Sequence, residues 1–279
     1  MKLHDGNQPR IARRTALACV AGGIAGLAGC TTSSETPDEP NEDQPESETF
    51  DSVDWDGPTL CATLATDVSA TYVDLVDPNG ETLRRDHPQD TADVSFTLLG
   101  ETEDGYEPGK YRLVASDGDS AIGETTVSLD PEFTITDVKW AAEHPDLEWD
   151  KDQSDWEDRA AIEIENTGTA PSYVEQIRWT DAPLSKVMYP AETEFYHRVL
   201  LPAGETTTIY GAAVYATDGR FGESIDCSEI ETDELTATAI VQAGENPSYS
   251  QTVEYGETEG SCDLSIVDGV PVESTAGGE

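Results

Sequence analysis

The chain has 279 residues, with 58 Asp and Glu against 15 Lys and Arg, a formal net charge of −43 and a hydrophobic fraction of 36%. A charge of that size repels nucleic acid and anionic lipid, and in dilute buffer it strains any compact state. Two states are compatible with it: an extended acidic chain, or a fold in brine, where the Debye length falls to about 3 Å at 1 M salt. Periodicity decides for folding. From residue 59 onward, short alternating apolar/polar segments recur between turn signals, and a disordered acidic chain has no reason to keep them.

The chain opens on Lys2, Arg10, Arg13 and Arg14, opposed only by Asp5, ahead of an uncharged run from Thr15 to Gly29. This is the layout of a secretion signal. The run is too short and too rich in Gly and Ala for a comfortable membrane span, which takes about 20 mostly apolar residues. A plain buried Ala/Gly helix is the alternative. Arg13-Arg14 before a weakly hydrophobic segment resembles a twin-arginine export signal, and Leu27-Ala28-Gly29-Cys30 resembles a lipoprotein lipobox. The resemblance implies cleavage after Gly29, loss of Cys19 with the leader, and lipidation of Cys30 on the extracellular face of the cell membrane. One acyl chain binds membranes only marginally, so a second chain on the Cys or its amine is expected. The excess of Arg over Lys and the diffuse spread of Asp and Glu resemble secreted proteins of extreme halophiles, the haloarchaea especially.

Residues 30–54 follow, rich in Thr, Ser, Pro, Glu and Asp with almost nothing to bury, and read as a disordered acidic tether. As a flexible coil such a segment reaches roughly 25–30 Å, and further if its charges extend it. No Asn-x-Ser/Thr sequon occurs, because Asn246 is followed by Pro. O-linked sugars on Thr31, Thr32, Ser33 and Ser34 stay open.

Residues 55–130 read as a small β-domain, with strands expected at 59–65, 71–76, 81–85, 92–99, 110–116 and 123–129. Asp77-Pro78-Asn79-Gly80 is the clearest hairpin turn, since Pro fixes φ while Asn and Gly tolerate positive φ. Pro108-Gly109 opens a strand in which Tyr111, Leu113 and Ala115 share one face. This Pro-Gly-x-Tyr-x-Leu pattern resembles the late strand pair of immunoglobulin-like surface modules, which implies a fold and no function.

Residues 131–270 read as a larger β-domain, with strands expected at 133–140, 160–165, 173–179, 196–201, 206–215, 235–242, 250–255 and 262–267. The alternating run Ile162–Glu165, turning at Asn166-Thr167-Gly168, resembles hairpins of cell-adhesion-related (CARDB) and fibronectin-like modules. Leu201-Pro202-Ala203-Gly204-Glu205 matches the proline-glycine turn that follows in them. Residues 271–279 read as a loose tail. The expected fold class is all-β, two immunoglobulin-like sandwiches behind a signal and a tether.

After processing, Cys30, Cys61, Cys227 and Cys262 remain. With Cys30 acylated, three are left in an oxidising compartment. A Cys227–Cys262 disulfide would close a loop of about 35 residues, worth up to about 4 kcal/mol in the chain-entropy model. Cys61 is then expected as a buried, inert thiol.

No enzyme signature is present: H-E-x-x-H, C-x-x-C, P-loop, G-x-S-x-G and dinucleotide glycine patterns are all missing from the sequence. His87, His144 and His197 lie far apart, and acids are too many for a catalytic pair to stand out. Neither catalysis nor a cofactor is expected. The acidic loop 143–158 contains Asp150-x-Asp152-x-Ser154, which begins like a calcium loop, but Asp155 stands where Gly should turn and Ala161 where a bidentate Glu should be. Trp149 and Trp156 in that loop are the candidates for stacking on sugars or docking a partner, whereas Trp140 and Trp179 lie in strands and are expected in the core. The function expected is binding or surface organisation, with the membrane, envelope proteins or glycans as partners and no nucleic acid. An accessory or substrate-capturing part of a membrane transport or redox complex, or a secreted hydrolase, are the alternatives.

Overall fold

Apolar residues at period two, with acids and hydroxyls between them, build strand after strand here because alternate side chains point to opposite faces of a sheet. The computed structural model describes residues 48–88, 92–183, 192–215, 232–258 and 261–272, all within one compact unit, Asp43–Glu279. The first seven strands are β1 (Phe50–Asp56), β2 (Thr59–Leu64), β3 (Tyr72–Val76), β4 (Thr82–Asp86), β5 (Asp93–Thr97), β6 (Gly109–Asp117) and β7 (Ser120–Leu129). They form two sheets, β1-β2-β5 and β4-β3-β6-β7, antiparallel throughout. Leu60, Ala62, Leu64, Val73, Leu75, Phe96, Leu113 and Ala115 fill the space between them, each buried.

The next eight strands are β8 (Phe133–Trp140), β9 (Arg159–Asn166), β10 (Ser172–Thr180), β11 (Glu192–Leu201), β12 (Thr206–Ala213), β13 (Thr232–Val241), β14 (Ser248–Thr258) and β15 (Ser261–Val272). Their sheets run β12-β9-β8 and β11-β10-β13-β14-β15. Strand for strand, this repeats the first connectivity: elements one, two and five in one sheet, four, three, six and seven in the other. β15 is an addition. Ile162, Ile164, Ile177, Trp179, Ala237, Ala239 and Val253 make up the second core, all fully buried. The fold is an all-β sandwich fold, as the alternation implied.

Tyr111 shows why the Pro-Gly-x-Tyr-x-Leu segment folds as it does. Its ring is buried at the start of β6, and its hydroxyl donates to the Glu107 carbonyl 2.9 Å away. That is the tyrosine corner of immunoglobulin-like sandwiches, tying the strand to the turn before it. Gly109 beside it takes φ +149, and a Cβ there would meet Pro78 at 2.8 Å.

Two polar clasps, one buried and one half-buried, stand where the two cores meet. Asn166, fully buried, uses its whole hydrogen-bonding capacity. Its Oδ1 accepts from the Glu132 and Gly168 N–H groups (3.2 and 3.0 Å), and its Nδ2 donates to the Ala170 and Leu201 carbonyls (3.0 and 3.2 Å). The linker between β7 and β8 is thereby bound to the β9–β10 turn. The second clasp is Gln242. Its Nε2 donates to the Gly100 and Glu103 carbonyls (2.8 and 2.6 Å) and its Oε1 accepts from the Gly100 N–H at 3.2 Å. Gly105 (φ +85) allows the approach, since a Cβ there would sit 2.4 Å from the Gln242 carbonyl oxygen. Tyr106 adds a hydroxyl bond of 2.6 Å to the Pro171 carbonyl, and Ala170 and Ala243 pack into the first core.

Two segment boundaries differ from the sequence expectation. The tether was expected to run to residue 54, but β1 begins at Phe50 and pairs along β2, with Val53 and Trp55 packed on the core and Asp54 and Asp56 outward. The tail was expected from 271, yet Pro271 and Val272 continue β15 opposite Tyr249 and Ser248. Proline is tolerated there because β15 is an edge strand.

Candidate functional site

The acidic loop between β8 and β9 folds on itself around a satellite core. Trp149 is buried at 7% exposure, its ring edge-on to Tyr210 at 5.0 Å and its indole N–H donating to the His144 carbonyl at 2.7 Å. Ala141 and Ala161 pack with it. This corrects the expectation for Trp149, whose faces are taken up by the loop's own packing. Trp156 is half-buried in a 3-10 turn, Trp156–Asp158, with the Lys151 ammonium 5.2 Å from its ring. A loop carrying so many acids holds its shape because the two tryptophans give it something to bury.

The carboxylates of the weak calcium candidate serve the same loop. Asp150 accepts from the Asp152 N–H (3.3 Å) and from Gln153 Nε2 (2.6 Å), while Asp155 pairs with Arg159 at 3.3 Å. Asp152 and Ser154 are exposed. Among the described residues no group of three or more His, Cys, Asp or Glu side chains is placed to hold a metal ion.

Trp140 and Trp179 are core residues. Trp140 stacks on Tyr215 at 5.1 Å and donates its N–H to the Glu157 carbonyl. Tyr215 in turn hydrogen-bonds Gln251, whose Nε2 reaches the Val138 carbonyl at 3.0 Å. His87 Nδ1 lies 2.9 Å from the Thr71 carbonyl. His197 is half-buried on β11 beside Phe195, and burial lowers its pKa from the ordinary value. The three histidines stand on separate elements. Cys61 is a half-buried free thiol, its pKa raised by burial and by Asp56, Asp93 and Asp54. Cys30, Arg13, Arg14 and Cys227 lie outside the described residues, as does the side chain of Cys262, so the lipidation, export and disulfide expectations rest on sequence.

Two surfaces were not legible as sites. A groove of about 490 Å³ lies by the junction, lined by Pro108, Asp130, Phe133, Ile135, Pro247 and Val272 among others. The outer face of the five-stranded sheet is the second. Alternation turns Leu235, Ala237 and Ala239 inward and leaves Thr236, Thr238 and Ile240 outward on β13. Registered pairing lines these up with Gln176, Arg178 and Thr180 on β10 and with Ser248 and Ser250 on β14. The Thr-x-Thr spacing of β13 was the signal, but only the register places its neighbours.

No family model matches the chain, and no curated protein matches it. Among solved structures, it is similar to one titled "Ca2+-stabilized adhesin helps an Antarctic bacterium reach out and bind ice", at 13% identity and a TM-score of 0.18. That match covers 75% of this chain and 66% of the adhesin chain.

Proposed function

We propose that the protein is a lipid-anchored extracellular surface protein whose role is binding or surface organisation without catalysis. The observation that carries this is the junction of two sandwiches of one connectivity, where Gln242 and Tyr106 hydrogen-bond across and Asn166 ties the linker to the β9–β10 turn. Sandwiches joined in series present surface at a distance from their attachment point. The sequence supplies that point at Cys30, after Leu27-Ala28-Gly29 and before the acidic stretch. Export through the twin-arginine route fits a cargo that folds before crossing, and the acidic surface fits a brine outside the cell.

The test is mass spectrometry of the native protein from the membrane fraction, alongside a Cys30→Ser variant. The expected product begins at Cys30 and carries acyl mass, and the variant appears in the medium. An intact leader, or an unmodified Cys30 in protein recovered from the cytosol, refutes the reading.

A further inference from the structure

The inner strands of the five-stranded sheet's outer face depart from the rest of the chain in charge. With 58 acids to distribute, the chain places none on β10, β13 or β14 in three successive cross-strand rows. The rows are Tyr196–Gln176–Ile240, then Glu194–Arg178–Thr238–Ser248–Val272, then Glu192–Thr180–Thr236–Ser250–Val270. The two acidic residues, Glu192 and Glu194, belong to the margin strand β11, and Glu194 pairs with Arg178 at 3.4 Å. The polar groups of the inner strands are hydroxyls, an amide and a guanidinium. Thr238 and Ser248 share a hydrogen bond of 2.8 Å across the strands.

Three atoms of this face, Gln176 Nε2, Arg178 Nε and Ser250 Oγ, are buried with no hydrogen-bond partner. Leaving a polar atom in that state costs about 1–3 kcal/mol, so the face holds unused donors that a small turn of each side chain can direct outward. Beside them the Tyr196 ring is 77% exposed. Charge and chemistry narrow the occupant. A polyanion meets a molecule of net charge −43. A protein partner calls for an apolar centre, and finds there only the half-buried Ile240, with the exposed Val270 and Val272 out on the edge strand β15. An uncharged polyol matches: its hydroxyls donate to and accept from Ser, Thr and Gln, and its C–H faces stack on an exposed phenol ring.

We propose that this face binds neutral polysaccharide, with Tyr196 as the stacking platform and Gln176, Arg178 and Ser250 as the hydrogen-bonding row. The proposal deepens the binding role given above and moves the sugar-binding surface from the tryptophan loop to the sheet.

The test sediments the purified intact protein with insoluble cellulose, chitin and mannan in high salt, with cross-linked pectate as a polyanionic counter-probe. The expected result is retention on at least one neutral polymer and none on pectate. Tyr196→Ala weakens that retention about tenfold, the loss of one stacking contact, and Gln176→Ala with Arg178→Ala weakens it further. Tyr196 is exposed, so circular dichroism of its variant should match the parent. Failure of all three neutral polymers to retain the protein overturns the proposal, as does undiminished retention of Tyr196→Ala or a preference for pectate. Because the assay reads the purified protein whatever its N-terminus carries, a negative result leaves the Cys30 anchorage test untouched.

Discussion

Replacing Asn166 tests the claim that one buried amide holds the linker, the β9–β10 turn and the end of β11 together. Its four hydrogen bonds run from 3.0 to 3.2 Å, and the residue is fully buried. Asn166→Ala strands two N–H groups and two carbonyls. At about 1–3 kcal/mol for each group that water cannot reach, and with the Ala170 and Leu201 sites the most enclosed, the loss is roughly 3–5 kcal/mol. Asn166→Asp is the sharper probe. It keeps the shape and the two accepted bonds, but sets carboxylate oxygen against the Ala170 and Leu201 carbonyls. Desolvation and those carbonyls then raise the folded-state pKa above the unfolded value of about 3.9. The deficit is therefore small below that value, where the protonated acid still donates one bond, and grows as pH rises through the folded pKa. Urea unfolding followed by tryptophan fluorescence, at matched high salt across this range, measures both. An Asn166→Asp protein as stable as the parent at neutral pH, or a deficit indifferent to acidification, refutes the reasoning.

Gln242→Ala removes three bonds to the first sandwich and should cost about 2–3 kcal/mol. It should also separate the fluorescence of Trp55, in the first core, from that of the second-core tryptophans, giving two unfolding transitions where the parent gives one. Burial raises the pKa of the Tyr106, Tyr111, Tyr215 and Tyr249 phenols above the ordinary value of about 10. Their contribution is complete below that value and is lost as pH climbs above it, so ultraviolet phenolate titration should coincide with cooperative unfolding. His197 has the opposite sign: burial lowers its pKa below about 6.5. Its contribution is present above that value and falls away on acidification. His197→Gln should flatten the urea midpoint between about pH 7.5 and pH 5.5.

Much of the fold was written in period two. β8 matches the expected strand, Phe133–Trp140, to the residue, although a register shift between Ile135 and Asp137 changes the phase of its alternation, because apolar residues mark both of its ends. β1 escaped notice although Phe50, Val53 and Trp55 alternate with Asp54 and Asp56, because the segment sits in an acidic run and its apolar residues are sparse. β15 was cut short at residue 267, where a register shift opposite Thr252 and Val253 interrupts the alternation. The candidate site was far less legible. Trp149 and Trp156 drew attention as aromatics in a polar loop, yet a loop needs its own apolar contacts to hold a shape, and Trp149 supplies them. The sheet face joins residues 176–180, 194–196, 236–240 and 248–250, and only strand register brings such distant segments together.

The make-up of the junction bears on how the molecule meets changing water. Gln242, Tyr106 and Asn166 work through amide, phenol and main-chain groups, and the Arg198–Glu101 pair at 4.0 Å is a loose addition at the rim. Neutral groups of this kind feel little of the ion atmosphere that governs the acidic exterior. Dilution or concentration of the surrounding salt would change how strongly each sandwich's skin of carboxylates pushes on itself, while the hydrogen bonds that join the two halves carry no net charge to be screened.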